Sequence, residues 1–272
     1  MTSKFILHSS SLPTWNDCEG RWAASNIRSL RNSLHGGRTS AASVIGTVFH
    51  AAMKRALLAK MELGLVLDFN ELAEEAEHAL IEAYRKGDGV LPDEVTRNLL
   101  EAKYQLSSLI REALWSYVRF ANPVEVEPED LIDIRGADWL ALSYRPDVVV
   151  NEGFIDDFKT FRQLSDYKAQ AGSYVLGREG RAGVKAKGFR ILGLKRVSAS
   201  SAPSELQIIE YDREACLDAA LQAIREIKLK LPVWEEKKSF KIFRMNPNSK
   251  LCTKTTCRAW GSDLCNQWTD KK

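Results

Sequence analysis

The chain has 272 residues, 44% of them hydrophobic and 28% charged, so it can bury a sizeable core without disulfides and is not of disordered composition. No apolar run approaches the roughly 20 residues that span a bilayer, and MTSKFILHSSSLPTW lacks the apolar core and cleavage site of a secretory signal; the expectation is an intracellular, non-membrane protein. A net charge of +3 neither demands nor excludes a nucleic-acid partner.

In chain order, Gly46–Leu63 is the first strongly periodic segment, with Val48, Phe49, Met53, Ala56, Leu57 and Met61 at helical spacing. Helices are expected next over Asn70–Lys86 and Asp93–Phe120, the second opened by Pro92 and stopped by Pro123. The texture then changes. Val124–Pro128, Leu131–Ile134, Trp139–Leu142, Pro146–Val150 and Phe154–Phe158 are short, β-branched or aromatic, and broken by turn signals. Asn151-Glu152-Gly153 joins the last two as a tight hairpin. A helix over Ser165–Gly177, strands over Phe189–Val197 and Leu206–Tyr211, and a helix over Arg213–Leu231 complete the order. With no repeat and no linker, the pattern predicts a single α+β domain over residues 1–272, in which about 66–120 form a helical insertion.

Charge is uneven along this order. Residues 66–94 hold nine acidic side chains against Arg85 and Lys86. Residues 178–196 hold seven Lys/Arg against Glu179, and residues 225–258 hold ten against three Glu. Such runs are usually solvated faces; converging on one groove, they would neutralise phosphates, with Trp or Tyr stacking on bases.

The chemistry-bearing stretch is Tyr144-Arg-Pro-Asp147, a turn, then Ile155-Asp-Asp157-Phe-Lys159. If both are strands of one hairpin, Asp147 and Asp157 project toward one point, Asp157 and Lys159 share a face, and Phe158 faces the core. Paired carboxylates suit Mg²⁺ or Mn²⁺, and a neighbouring lysine can stabilise charge on a phosphoryl group, which together imply metal-assisted phosphodiester hydrolysis. The acid-x-Lys tripeptide alone carries little, because the chain has seven; only Asp157-Phe-Lys159 lies in an apolar, strand-like run with a second Asp one hairpin away. The bland alternative is a surface hairpin with charged outward positions.

Five motifs in order resemble the RecB-type branch of the PD-(D/E)XK nuclease superfamily: Gly46-xxx-His50, the acidic strand around Glu125, Arg145-Pro-Asp147, Asp157-Phe-Lys159 and Gln170-xxx-Tyr174. The resemblance implies a central mixed sheet flanked by helices, His50, Asp147 and Asp157 as ligands of Mg²⁺ or Mn²⁺, and Lys159 as the catalytic lysine. Gln170 and Tyr174 would position the substrate, and Glu125 would be a further catalytic acid, with Glu127 an equal candidate. The activity implied is a DNA exonuclease acting on single strands or duplex ends, in recombination, repair or CRISPR adaptation, with DNA and the proteins of such a process as partners.

The five cysteines, an odd number in a chain without an export signal, point to metal or cluster ligation rather than disulfides. One subgroup of the family, including the AddB nuclease domain and the CRISPR adaptation nucleases, places one Cys before the core and three after it to hold a 4Fe–4S cluster. By that resemblance Cys18, Cys252, Cys257 and Cys265 form the ligand set and staple the two ends of the chain, leaving Cys216 as a buried thiol. Four and seven residues separate the trio, and a structural Zn²⁺ on the same thiolates remains the alternative. Two other classes compete: a catalytically silent nucleic-acid-binding or assembly protein on the same fold, and a zinc-stapled adaptor. Against the first stands the complete His50/Asp147/Asp157/Lys159 set, which binding alone does not need.

Overall fold

The computed structural model describes residues 4–34, 39–86, 90–93, 95–162, 165–201, 205–253, 256–262 and 265. The acid-x-Lys tripeptide at 270–272, and Asp88, Glu94 and Lys254 of the charge runs, lie outside the described residues.

The chain opens with β1 (Phe5–His8), a 3-10 turn at Ser9–Ser11, and the short helices α1 (Leu12–Asp17), α2 (Glu19–Asn26) and α3 (Arg28–Ser33). The long helix α4 (Ala41–Leu63) begins where the Ser40 side chain accepts a hydrogen bond from Ser43 N and ends at Gly64, whose left-handed φ of 69° closes the helix at no steric cost. Helices α5 (Phe69–Lys86) and α6 (Leu99–Ala113) follow, and α6 runs into a π turn at Leu114–Val118. The expected start at Asp93 is displaced to Leu99. Asp93 Oδ1 instead accepts from Val95 N and Thr96 N in a local turn, and Asn98 caps the helix.

Strands β2 (Pro123–Val126), β3 (Asp130–Asp133), β4 (Leu140–Tyr144), β5 (Val148–Val150) and β6 (Phe154–Phe161) come next, then α7 (Lys168–Ala182), β7 (Gly188–Lys195), β8 (Leu206–Tyr211) and α8 (Arg213–Lys237). The mixed sheet expected from the resemblance has the order β2-β5-β6-β7-β8, with β6 and β7 parallel and the other pairs antiparallel. The strand meander does not all enter it. β3 and β4 leave to pair with β1 in a second, three-stranded sheet. The division falls at Glu127, whose left-handed φ of 43° turns the chain out of the first sheet.

The five-stranded sheet is covered on both faces, which is why β6 reads as a nearly continuous apolar run. Phe154 and Phe158 pack toward α4, α5 and α6, with the Phe158 ring edge-on to Phe49 and Tyr117. Ile155, Phe189 and Ile191 pack on the other face against Ala171, Tyr174 and Val175 of α7. Burying a side chain such as Phe158 contributes on the order of 1.5–3 kcal/mol. Two glycines let α7 approach its neighbours: a Cβ on Gly172 would lie 1.9 Å from the Cys216 carbonyl oxygen of α8, and one on Gly177 would meet the Tyr144 ring at 2.3 Å. A third cluster joins the N-terminal helices to α8 and the segment beyond it, where buried Glu19 pairs with Lys230 and accepts from Arg244 N.

Candidate active site

The β5–β6 register pairs Val148 with Asp156, so one step beyond it Asp147 stands opposite Asp157. Helix α4 crosses this end of the hairpin and brings His50 Nδ1 to 3.0 Å from Asp147 Oδ1. Asp147 Oδ2 accepts a hydrogen bond from Phe158 N at 2.6 Å. On β6, Lys159 Nζ lies 2.5 Å from Asp157 Oδ2. That oxygen is buried and accepts no hydrogen bond of good geometry, so the Lys159 contact is charge proximity rather than an aligned bond. Gln170 Nε2, on α7, donates to Tyr174 Oη at 3.1 Å and reaches Asp157 Oδ1 at 3.4 Å. The structure thus brings His50, Asp147, Asp157, Lys159, Gln170 and Tyr174 together from three elements and the residue that precedes β5.

Burial is the largest influence on each ionisable group here, and the neighbours decide the outcome. Burial pushes the Asp157 carboxyl up to about 6, with the Asp147 charge adding to the rise and Lys159 opposing it. Asp147 lies below the usual carboxylate range because His50, Lys159 and the Phe158 N–H outweigh its burial. Burial alone would lower both His50 and Lys159. The Asp147 carboxylate raises the imidazole, and the two carboxylates together raise the ammonium.

Glu125 is not part of this group: its carboxylate pairs with Arg178 and Arg181 of α7. The left-handed turn at Glu127 separates the two glutamates that the strand period placed on one face. Glu127 lies nearer the site. Its N–H donates to the Asp147 carbonyl at 2.9 Å, and its carboxylate accepts from Lys54 and Arg145, both at 2.8 Å. Those bonds outweigh burial and hold its pKa below the usual range. Sequence reading passed over Lys54, although it lies one helical turn beyond His50, and over Tyr167, whose ring centroid is 5.4 Å from Lys159 Nζ. Four arginines of the basic run 178–196 are paired within the fold, Arg178 and Arg181 with Glu125, Arg190 with Asp156 and Arg196 with Asp93, while Lys185, Lys187 and Lys195 are exposed.

The cysteine segments meet beside α2. Cys18 and Cys257 are buried, Cys252 and Cys265 half-buried, and all are free thiols. Burial first, then neighbouring thiols, raises three of them: Cys252 feels Cys18, Cys265 feels Cys252 and Cys18, and Cys257 feels the other three. Cys216 stands apart in α8, its thiol pushed up to about 11 chiefly by burial. Among the described residues, no group of three or more His, Cys, Asp or Glu side chains is gathered as tightly as around a held ion. In donor type, however, both groups fit. His50 with two carboxylates, one oxygen of which is buried and poorly satisfied, suits a hard divalent cation, and four thiols suit iron–sulfur or zinc.

A family model for the PD-(D/E)XK nuclease superfamily matches residues 9–262, and the chain belongs to that superfamily. Nucleases of this superfamily typically use Mg²⁺ or Mn²⁺. Among solved structures the chain is similar to a "Putative exonuclease" from Eubacterium rectale, with a TM-score of 0.54 and 12% identity over 92% of this chain and 87% of that one. At that identity the likeness is one of fold. None of the curated proteins compared with the chain matches it. No helix among the described residues is long and apolar enough to cross a membrane.

Proposed function

We propose that this nuclease is a divalent-metal-dependent deoxyribonuclease of the RecB-type branch, an exonuclease hydrolysing phosphodiester bonds of single-stranded DNA or duplex ends. The observation that carries the reading is the gathering of His50, Asp147, Asp157 and Lys159 at one end of the β5–β6 hairpin, with the buried Asp157 Oδ2 2.5 Å from the Lys159 ammonium. His50, Asp147 and Asp157 would hold the Mg²⁺ or Mn²⁺, which supplies a Lewis acid and an acidified water. Asp147 is oriented for this from two sides, by His50 and by the Phe158 N–H. Lys159, kept protonated by its two carboxylates, faces the charge that develops on the phosphate. Gln170 reaches Asp157 and donates to Tyr174, and the two would position the DNA strand.

Cys18, Cys252, Cys257 and Cys265 belong, in this reading, to a 4Fe–4S cluster, with Zn²⁺ the alternative on the same thiolates. What supports it is that Cys257 and Cys265 pack in one small cluster with Ala24 and Ala259, and that Cys18 and Cys252 lie near enough to raise the Cys257 thiol. The whole chain acts as one nuclease domain, with α5 and α6 as its helical insertion and recombination, repair or CRISPR adaptation as its setting.

The test is incubation of anaerobically purified protein with end-labelled single- and double-stranded DNA in Mg²⁺, Mn²⁺ or EDTA. Metal-dependent loss of label is expected. No cleavage of any DNA by protein that is folded and binds it would leave a binding module in place of the enzyme.

A further inference from the structure

Beside Lys159 the surface opens into a cleft of about 590 Å³, a volume typical of ligand pockets. Segments far apart in sequence build it. Ser10, Thr14 and Lys250 line it together with Tyr167, whose ring lies beside Lys159. Its base is a fixed polar knot. Arg21, only 6% exposed, pairs with Asp17 at 2.8 Å and donates to Ser249 Oγ at 3.2 Å, while Ser249 Oγ donates to Asp17 Oδ2 at 2.6 Å. Of the two acids at the cleft, Asp17 is paired with Arg21, and exposed Asp166 has Lys168 at 3.9 Å. Hydrolysis as described above uses neither Tyr167 nor the hydroxyls of Ser10 and Thr14.

We propose that this cleft holds the nucleotide adjoining the scissile phosphate of a single strand, its base on the Tyr167 ring and its phosphodiester against Lys250, Ser10 and Thr14. The inference rests on the nuclease reading and sharpens it. An aromatic ring, hydroxyl donors and a lysine are the groups that grip single strands, because every base offers a π-face and every linkage a phosphate. Tyr167 is half-buried, packed against the Tyr174–Phe189 cluster and with the Lys159 ammonium 5.4 Å over its ring, so a base stacked on it would lie beside the catalytic lysine. A base within a duplex is stacked on both faces and reaches Tyr167 only by leaving its helix, which makes the cleft a selector for unpaired strands or frayed ends.

The experiment measures binding and fluorescence of oligonucleotides carrying 2-aminopurine, as single-stranded DNA, single-stranded RNA and duplex DNA, with the full chain in EDTA. Wild type should quench the single-stranded probes, and Tyr167→Ala should lose the quenching and bind roughly tenfold more weakly. Tyr167→Phe should keep both. Thr14→Glu, which puts a negative charge into the cleft lining, should also weaken binding and decides the matter if Tyr167→Ala fails to fold. Equal binding and quenching by wild type, Tyr167→Ala and Thr14→Glu would overturn the proposal, as would duplex bound as tightly as single strand. Wild type that quenches the probe yet cleaves nothing with Mg²⁺ or Mn²⁺ would remove the nuclease reading and keep the cleft. Cleavage of single strands unchanged in Tyr167→Ala would do the reverse.

Discussion

Asp147 reaches across the hairpin to the backbone of Phe158, accepting its N–H at 2.6 Å, so the first carboxylate is tied to the residue that lies between Asp157 and Lys159. One backbone segment therefore sets three functional side chains at once. Asp147→Asn keeps an acceptor for that N–H and removes the charge, whereas Asp147→Ala removes both. Both variants should lose at least about 10²-fold in turnover. In urea unfolding, Asp147→Ala should be the less stable by about 1–3 kcal/mol, the cost of a buried N–H left without a partner. Equal stability of the two would show that the bond does not matter.

Neighbouring carboxylates on β6 have opposite duties. Asp156 is fully buried, accepts two hydrogen bonds from Arg190 at 2.7 and 2.6 Å, and takes the Tyr117 hydroxyl at 2.5 Å. Asp156→Ala strands the Arg190 charge and should cost about 3–5 kcal/mol. Asp157→Asn removes a carboxylate that burial already disfavours; it should abolish cleavage while leaving the metal-free protein at least as stable as wild type above pH 6. Thermal melts beside cleavage rates separate the two.

Asp157 also sets a pH dependence. Its folded pKa of about 6 lies above the ordinary 3.8, so the folded state binds this proton more tightly than the unfolded chain. The metal-free protein therefore gains stability from this group as pH falls from about 6 toward 4, and loses that gain as pH rises through 6. A divalent cation competes with this proton and with the one on His50, whose imidazole Asp147 raises above its ordinary 6.5, so Mn²⁺ affinity should climb at least about tenfold per pH unit below 6 and keep rising above it until His50 is neutral. Calorimetric titration between pH 5 and 8 measures this, and Asp157→Asn should flatten the curve. A wild-type affinity independent of pH across 5–6 would contradict the assignment.

Helix α7 holds Gln170 and Tyr174 only because Gly172 lets it touch α8. Gly172→Ala places a methyl where the Cys216 carbonyl already lies. The helices must part, at a cost of about 1–3 kcal/mol, and Gln170 moves with them. A lowered Tm together with a raised KM for DNA is the expected signature. A fall in Tm with unchanged KM would show that α7 does not position the strand.

The thiol group gives a compositional test. Cys252→Ala should lower iron and sulfide content, or zinc if that is the occupant, and lower Tm by several degrees, since about 1 kcal/mol corresponds to 2–4 °C in a chain of this size. Cys216→Ala should leave metal content unchanged. Equal metal in wild type and Cys252→Ala would take Cys252 out of the ligand set.

Much of this architecture was legible in the residues, where structure follows from local pattern. The apolar stripe from Val48 to Leu57 announced α4, and Asn151-Glu152-Gly153 marked the turn that sets Asp147 opposite Asp157. What was not legible depended on distant partners. Phe5–His8 becomes a strand only by pairing with Leu140–Ser143, far along the chain. Glu125 and Glu127 look alike by period, and only the turn at Glu127 sends one to Arg178 and the other to Lys54. Arg190 and Arg196 read as a solvated basic face, because nothing local shows that Asp156 and Asp93 take them inward. The helix expected over Arg213–Leu231 runs on to Lys237 through Pro232, because burial of Leu231 and Trp234 outweighs one lost hydrogen bond.

The most direct test of the central claim is single-turnover cleavage of end-labelled single-stranded DNA by wild type and Lys159→Ala, with DNA affinity measured in parallel in EDTA. The account predicts metal-dependent cleavage by wild type, a loss of at least about 10²-fold in Lys159→Ala, and binding by the variant within a few-fold of wild type. Cleavage by Lys159→Ala at the wild-type rate would contradict it, because the ammonium paired with Asp157 would then play no part in the chemistry.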